Sequence, residues 1–381
     1  MHGDGRTDDS GAIRAAVYEL RDRYGRGGFH LPRPSVAYAF SEPVIVPEGI
    51  EIFGDGMFTT EVRGTAAFPP GRSCFEFETG GTTIGNRISD MTIRPAPVDG
   101  CGAISYTPVD SADTGERWHG ILKNLRFHGS NQYNPFFISL VANVHCARFI
   151  NLWGDPSLTV ASGVGSPTYD TVLLKLGDGT DEGLDVAGGY SCVIEGLTCT
   201  PVRGGFCAAI RGSLTASSVR CISIGKGTAG TPYIDLRNSS GTTFDNVLIE
   251  GGGGRPMIRL EAARHCEIRG LMLGNPSRNS PTVSTLGNGI EMIDCSDTDV
   301  YGAARWTGTP SWSHLNYPTE PAESKYAVAL DEDTTNCLVS IDIGNIDTLA
   351  TATNDLGDNN RVRTRRPYDG LIEETYNKVA V

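Results

Sequence analysis

A chain of 381 residues with 39% hydrophobic side chains can bury a substantial core, which excludes wholesale disorder. Its formal charge of −13, with no long Lys/Arg run, argues against nucleic acid or an anionic membrane surface as partner. The 48 glycines, nearly twice the usual ~7%, follow no Gly-X-Y order, so a turn-rich all-β chain is expected and collagen is excluded. No stretch approaches ~18 consecutive apolar residues, and the start of the chain carries Asp4, Arg6, Asp8 and Asp9 in place of an apolar signal region. The ten cysteines, from Cys74 to Cys337, form no Cys-x-x-Cys pair and are expected to be mostly buried free thiols.

The first predicted element is a helix. Asp8, Asp9 and Ser10 supply N-cap chemistry, Ile13, Ala16, Val17 and Leu20 form one apolar face, and Gly25 offers a stop. Residues 1–44 are therefore expected to be an N-terminal cap, made of this helix and a first strand.

Residues 45–345 carry a repeat in which apolar-x-x-apolar-x-apolar recurs nine times, with middle members Met91, Leu125, Leu152, Leu197, Ile222, Val247, Leu271, Ala303 and Ile341. From Leu197 to Leu271 the steps are 25, 25 and 24 residues. Three positions earlier stand Ile88, Leu122, Phe149, Ile194, Val219, Phe244, Ile268, Val300 and Leu338, and two positions later an apolar residue follows in every copy except at Gly154 and Arg305. The 0, +2 spacing is that of a strand with one inward face. Immediately before each middle member comes Asp90, Asn124, Asn151, Gly196, Cys221, Asn246, Gly270, Gly302 or Ser340, a set rich in types that accept tight bends or positive φ. A second short strand is expected upstream of several bends, ending at Leu140, Ile210, Leu236, Leu260, Ile293 or Leu330.

A unit of this kind buries its apolar side only by stacking on its neighbours at ~4.8 Å, which predicts a parallel β-helix of about 12 coils. A β-propeller would need blades of ~40 residues and is excluded by the period. After Ile343 the pattern dissolves, and residues 346–381, with Arg361, Arg363, Arg365 and Arg366, read as a tail available to cross to another subunit.

The opening Gly3-Asp4-Gly5-Arg6-Thr7-Asp8-Asp9-Ser10, with Ala12-Ile13 and Ala15-Ala16, resembles the N-terminal signature of the pectate lyase superfamily. Gly27-Gly28-Phe29-His30-Leu31-Pro32, Tyr38-Ala39-Phe40 and Ile50-Glu51-Ile52-Phe53-Gly54-Asp55-Gly56 resemble the first coils of the same group. The resemblance implies a single-stranded right-handed parallel β-helix acting on carbohydrate, as in polysaccharide lyases, glycoside hydrolases, fructan-processing transferases and phage tailspike depolymerases. It also implies a homotrimer, with a virion-associated or extracellular setting. The strand that usually precedes Gly-Asp-Gly in such proteins is missing, so the chain is expected to be a piece of a longer protein. The Asp-Asp and Gly-His-Gly signatures of polygalacturonase-like hydrolases are also missing.

On such a fold the chemistry lies in outward side chains of successive coils. One outward column is Arg211, Arg237, Glu261, Asp294 and Asp331, with Lys175, Asp235 and Arg259 beside it. It reads either as a solvated ionic ladder or as a saccharide groove in which paired carboxylates act as general acid and base. A second column holds Arg94, His128, Thr200, Glu250 and Trp306, with Arg126 and Trp153 one alternation earlier. A cation beside an imidazole suits elimination, neutralising a uronate carboxylate while a base removes the adjacent proton; the indole offers a face for a sugar ring.

The segment from Gly177 to Asp185 places Asp178, Asp181, Glu182 and Asp185 on a glycine-containing loop, which reads as a polar turn, a catalytic loop or a Ca²⁺ site without the EF-hand pattern. If catalysis is hydrolytic, Asp181, Glu182, Asp185, Asp235 and Glu250 are the expected acids. If it is eliminative, Arg126 and His128 are expected to act. Trp153, Arg211 and Arg237 complete the expected substrate contacts; no organic cofactor or structural metal is expected. A non-catalytic glycan-binding spike and a fructan-type transferase remain the alternatives.

Overall fold

The computed structural model describes residues 1–78, 83–106, 116–140, 143–157, 169–177, 188–200, 207–224, 232–250, 256–274, 289–305, 328–344, 353–365 and 372–376. These residues are mostly parallel β-strands, with one α-helix among them, Ser10–Tyr24, and they fall into two compact units, Met1–Ser213 and Leu214–Val381.

The helix buries Ile13 and Val17 completely against the strands Gly27–Leu31 and Val44–Val46. It stops at Gly25, whose φ of 67° is left-handed and whose N–H donates to the carbonyl of Arg21 at 2.7 Å. Asp9 makes no side-chain cap; its buried carboxylate accepts the backbone N–H of His2 at 2.5 Å and of Gly3 at 3.1 Å. Asp8 ties Ser10 to Ser41 through both backbone and hydroxyl groups. The N–H groups of Thr7 and Arg6 hold the Asp4 carboxyl at about 2. The acids of the opening motif thus fold the start of the chain onto the first strands.

In the first unit, one sheet runs through Gly27–Leu31, Ile50–Gly54, Arg87–Arg94, Ile121–Phe127, Arg148–Gly154 and Val193–Cys199. A second runs through Val44–Val46, Ser73–Phe77, Gly102–Tyr106, Phe136–Leu140, Thr171–Leu176 and Cys207–Gly212, and short strands such as Asn143–His145 and Gly189–Tyr190 form a third. On the first sheet Met91, Leu125, Leu152 and Leu197 are register partners in successive strands, and all are buried. So are Ile88, Leu122, Phe149 and Ile194. Phe127 stacks on Phe137 of the second sheet, ring centroids 5.5 Å apart. Gly154 breaks the apolar pattern because a Cβ there would come within 3.0 Å of the Cys207 sulfur.

The expected bends are present and left-handed at Asp90, Asn124, Asn151, Gly196, Cys221, Asn246 and Gly270, with φ between 51° and 74°. In the first unit they are also joined side by side, since Asn124 Nδ2 donates to Asp90 Oδ1 at 2.8 Å and Asn151 Nδ2 to Asn124 Oδ1 at 3.0 Å.

The second unit repeats the plan. Ser218–Ile224, Thr243–Glu250, Glu267–Gly274, Asp299–Arg305, Leu338–Gly344 and Arg361–Arg365 pair in parallel, and Ile372–Tyr376 returns antiparallel on the last of them. Ile222, Val247 and Leu271 are register partners. The strand Asp299–Arg305 then departs from the expected spacing: Leu271 pairs with Gly302, not Ala303, and Gly302 with Ile341. One residue fewer separates Val300 from the middle position, so Gly302 is not a bend, and neither it nor Ser340 has positive φ. In the next strand the buried partner of Val300 is Val339, not Leu338, which is half-exposed. The segment read as a tail contains Thr353–Asp355, Arg361–Arg365 and Ile372–Tyr376, with Val362 buried opposite Val339.

Eight of the ten cysteines are buried and none is in a disulfide; Cys146 and Cys221, at bends, are the more accessible two. Burial pushes the thiols of Cys74 and Cys337 up to about 12 and those of Cys192 and Cys295 to about 11, so they are inert protonated packing groups at neutral pH. Among the described residues, no helix is long and apolar enough to cross a membrane.

Candidate functional site

Strand alternation sends Leu125 and Phe127 inward and leaves Arg126 on the outer face of the first sheet. Register then sets Thr92, Arg126, Trp153 and Thr198 side by side, because each belongs to an adjacent paired strand. The residues that close these strands continue the line as His128, Asp155 and Thr200: His128 N–H donates to Ile93 O at 3.2 Å, Asp155 N–H to Phe127 O at 2.9 Å and Thr200 N–H to Gly154 O at 2.9 Å.

Asp155 is the centre of this patch. Its side chain is only 4% exposed. One carboxylate oxygen, Oδ2, accepts from Arg126 Nε at 3.0 Å and from Arg126 Nη2; the other, Oδ1, lies 3.0 Å from His128 Nδ1. A carboxylate out of water needs compensating charge and hydrogen bonds, and Arg126 and His128 supply them. His128 itself is 29% exposed, and among the described residues its Nε2 has no hydrogen-bond partner.

Aromatic rings wall the patch on one side. The Arg126 guanidinium carbon lies 5.4 Å from the ring centroids of both Phe58 and Trp153, within the range of cation–π attraction. Phe58 and Trp153 meet edge to face at 5.7 Å, and Phe58 is 66% exposed, an unusual position for a large apolar ring. The Trp153 indole N–H donates to the Thr200 hydroxyl, which fixes the ring. Arg94 pairs with Glu61 at 3.0 Å, and Glu61 also binds Arg63 at 2.7 Å, so three charged residues border the same face.

The structure therefore brings Arg126, His128 and Trp153 together. Asp155 was not singled out in the outward column, although it holds the same place after Leu152 as His128 after Leu125 and Thr200 after Leu197; Phe58 carries no signal in the repeat. Asp155 follows Gly154, the position at which the pattern fails, and Phe58 lies on the turn between Ile50–Gly54 and Glu61–Gly64. Thr200 and Arg94 were legible as members of the outward column.

Of the acids expected to act in hydrolysis, Asp235 is the one whose side chain is among the described residues. Asp178, Asp181, Glu182 and Asp185 lie outside the described residues, as does Trp306. Glu250 ends the strand Thr243–Glu250, and its side chain is also outside them. Asp235 is buried on the second sheet of the second unit, in an alternating-charge ladder: Arg237 Nε stands 3.8 Å from Asp235 and 3.5 Å from Glu261, and Arg259 stands 2.8 Å from Glu261 and 3.9 Å from Glu291. This is the ionic-ladder arrangement. Its columns differ from those read in the sequence, since Glu261 pairs with Ile293 where Asp294 was expected, and Lys175 pairs directly with Arg211 in the first unit. Among the described residues, no group of three or more His, Cys, Asp or Glu side chains is arranged to hold a metal ion.

No family model matches the chain, and no curated protein sequence matches it. Among solved structures it is similar to a mutant DFA-IIIase from Arthrobacter chlorophenolicus A6 in complex with DFA-III, at 10% identity over 93% of this chain and 96% of that one, with a TM-score of 0.53. It is also similar to the A-module of the Azotobacter vinelandii mannuronan C-5 epimerase AlgE6, at 15% identity over 96% and 97% with a TM-score of 0.48, and to tailspike protein 3 of bacteriophage CBA120, at 12% identity over 100% and 60% with a TM-score of 0.39. At these identities the likeness is one of fold, the right-handed parallel β-helix that the opening motifs resemble.

Proposed function

We propose that the chain acts on a polysaccharide and cleaves it by elimination at the Arg126–His128–Trp153 patch. The observation that carries this reading is the convergence of a half-exposed imidazole, a guanidinium and two aromatic rings on one outward face. In this reading a sugar ring rests against Phe58 and Trp153, and Arg126 offsets the charge of a uronate carboxylate through Nη1, which has no hydrogen-bond partner among the described residues. His128 removes the proton α to that carboxylate. The C5–H and C4–O bonds break, the electron pair of the former gives the C4=C5 double bond, and the leaving oxygen takes a proton, so one C–H and one C–O bond are exchanged for the second bond of C=C and one O–H. Around this patch the described carboxylates, Asp155 and Glu61, are both engaged with arginines, which disfavours a paired-acid hydrolysis there.

The similar structures, a mannuronan C-5 epimerase module, a DFA-IIIase and a bacteriophage tailspike, fit carbohydrate as the substrate class and a virion or extracellular setting. We further propose that the helix Ser10–Tyr24 closes the N-terminal end of the coil stack and that three chains associate, which light scattering on the purified protein tests: a single-chain mass at micromolar concentration contradicts it. Incubation with a panel of bacterial and plant polysaccharides tests the reaction. Chain shortening with ultraviolet absorbance from the new double bond supports elimination. Shortening without that absorbance points instead to hydrolysis, with Asp181, Glu182 and Asp185 as the acids to replace, and binding without cleavage points to a glycan-binding spike.

A further inference from the structure

We propose that Asp155 is a positioning residue that fixes which nitrogen of His128 carries the proton. This rests on the reading of His128 as the base. Asp155 Oδ1 lies 3.0 Å from His128 Nδ1, and an ionised carboxylate only accepts, so the imidazole is held with Nδ1 protonated and the lone pair on Nε2. Arg126 in turn donates two N–H groups to Oδ2 of this carboxylate, which is almost entirely out of water, and so leaves Oδ1 to face the imidazole. Arg126 therefore has two tasks, facing the substrate and anchoring the acid that orients the base. The backbone adds rigidity, because Asp155 N–H is itself bonded to Phe127 O in the strand that carries both Arg126 and Phe127.

Asp155→Asn shows the consequence most sharply. Arg126 offers only donors, so it turns the amide oxygen toward itself and directs the amide NH₂ at His128 Nδ1. Nδ1 then has to accept, the proton moves to Nε2, and the outward nitrogen loses its lone pair. The side chain keeps its shape, so packing changes little while the base is lost. In a Ser-His-Asp triad the same exchange lowers kcat on the order of 10⁴-fold, and a loss of that order is expected here.

The experiment is ¹⁵N NMR of the 381-residue chain with labelled histidine, His128 assigned by its absence in His128→Gln. The expected result is a protonated Nδ1 and an unprotonated Nε2 in the wild type at neutral pH, and the reverse in Asp155→Asn. A wild type with the proton on Nε2 overturns the proposal, and does so even if the variant fails to fold. An Asp155→Asn protein that folds and keeps the wild-type tautomer overturns it equally. Because this measurement needs no substrate, it separates from the functional reading: the expected tautomers in a protein that cleaves no glycan would contradict elimination, not the role of Asp155.

Discussion

The outer faces of the first sheet in the two units rest on inward columns of the same pattern but present different chemistry. In the unit Met1–Ser213, register partners on the outer face read Thr92, Arg126, Trp153 and Thr198; in the unit Leu214–Val381 the corresponding alternation reads Ser223, Leu248, Met272 and Ala303. Inward, each unit stacks apolar residues as register partners. The inward columns therefore specify the coil, and the outward residues are free to specify what it does. Met272, 43% exposed, has no charged or imidazole register partner, whereas Trp153 sits beside a buried carboxylate held by an arginine and a histidine.

The difference is broken most severely at His128. His128→Ala is expected to lower turnover of a cleaved glycan by ~10²–10⁴-fold, the usual worth of a general base, while Met272→Ala at the corresponding face of the second unit leaves kcat within twofold. Steady-state kinetics of the two variants checks this. If both behave alike, the site is elsewhere.

Inward positions are expected to respond alike in the two units, because the same packing supports both. Phe127→Ala removes a fully buried ring stacked on Phe137 and is expected to cost about 3–5 kcal/mol; Leu271→Ala is expected to cost about 2–5 kcal/mol. Denaturant unfolding measures each. A loss below ~1 kcal/mol at either would mean that the column is not part of the core there.

The bends sharpen the contrast at smaller cost. Asn151 has φ of 52° and bonds Asn124, so Asn151→Ala loses a side-chain bond and places a Cβ residue in a left-handed conformation, for a loss of about 1–2 kcal/mol. Asn151→Gly keeps the conformation and is expected to lose less than the alanine variant. Ser340, where the repeat has lost its bend, is expected to tolerate alanine within ~0.5 kcal/mol.

The inward columns were legible because they recur: an apolar residue at the same two offsets in copy after copy is what a stacked face requires. The bends were legible because Asn, Asp and Gly are the types that accept positive φ. What the sequence hid follows from the same logic. Asp155 shares the offset of His128 and Thr200, but it lies in a strand whose apolar pattern breaks at Gly154, and nothing in the sequence marks it as the partner of Arg126 and His128; Phe58 belongs to a turn outside the repeat. At Ala303 and Leu338 the deletion of one residue turned the bent spacing into plain alternation, and a reading tied to the bent template landed one residue away from Gly302 and Val339.

The smallest expected effect is an acid limb to stability from the N-terminal turn. Burial tends to raise the Asp8 carboxyl, but hydrogen bonds from Ser10 and Ser41 outweigh it and hold it below the ordinary value. A carboxyl depressed in the folded state contributes stability that is complete above its unfolded value near ~3.9 and is lost as pH falls through the folded one. Thermal unfolding of the wild type should weaken below about pH 4, and Asp8→Asn should flatten that limb.

Most direct of all is the product formed from a uronate-containing polysaccharide by the purified 381-residue chain. Elimination at the first unit's patch is expected to give new reducing ends and double-bond absorbance rising together, one for one, in the wild type and neither in His128→Ala. Reducing ends without the double bond, or undiminished cleavage in His128→Ala, would contradict it.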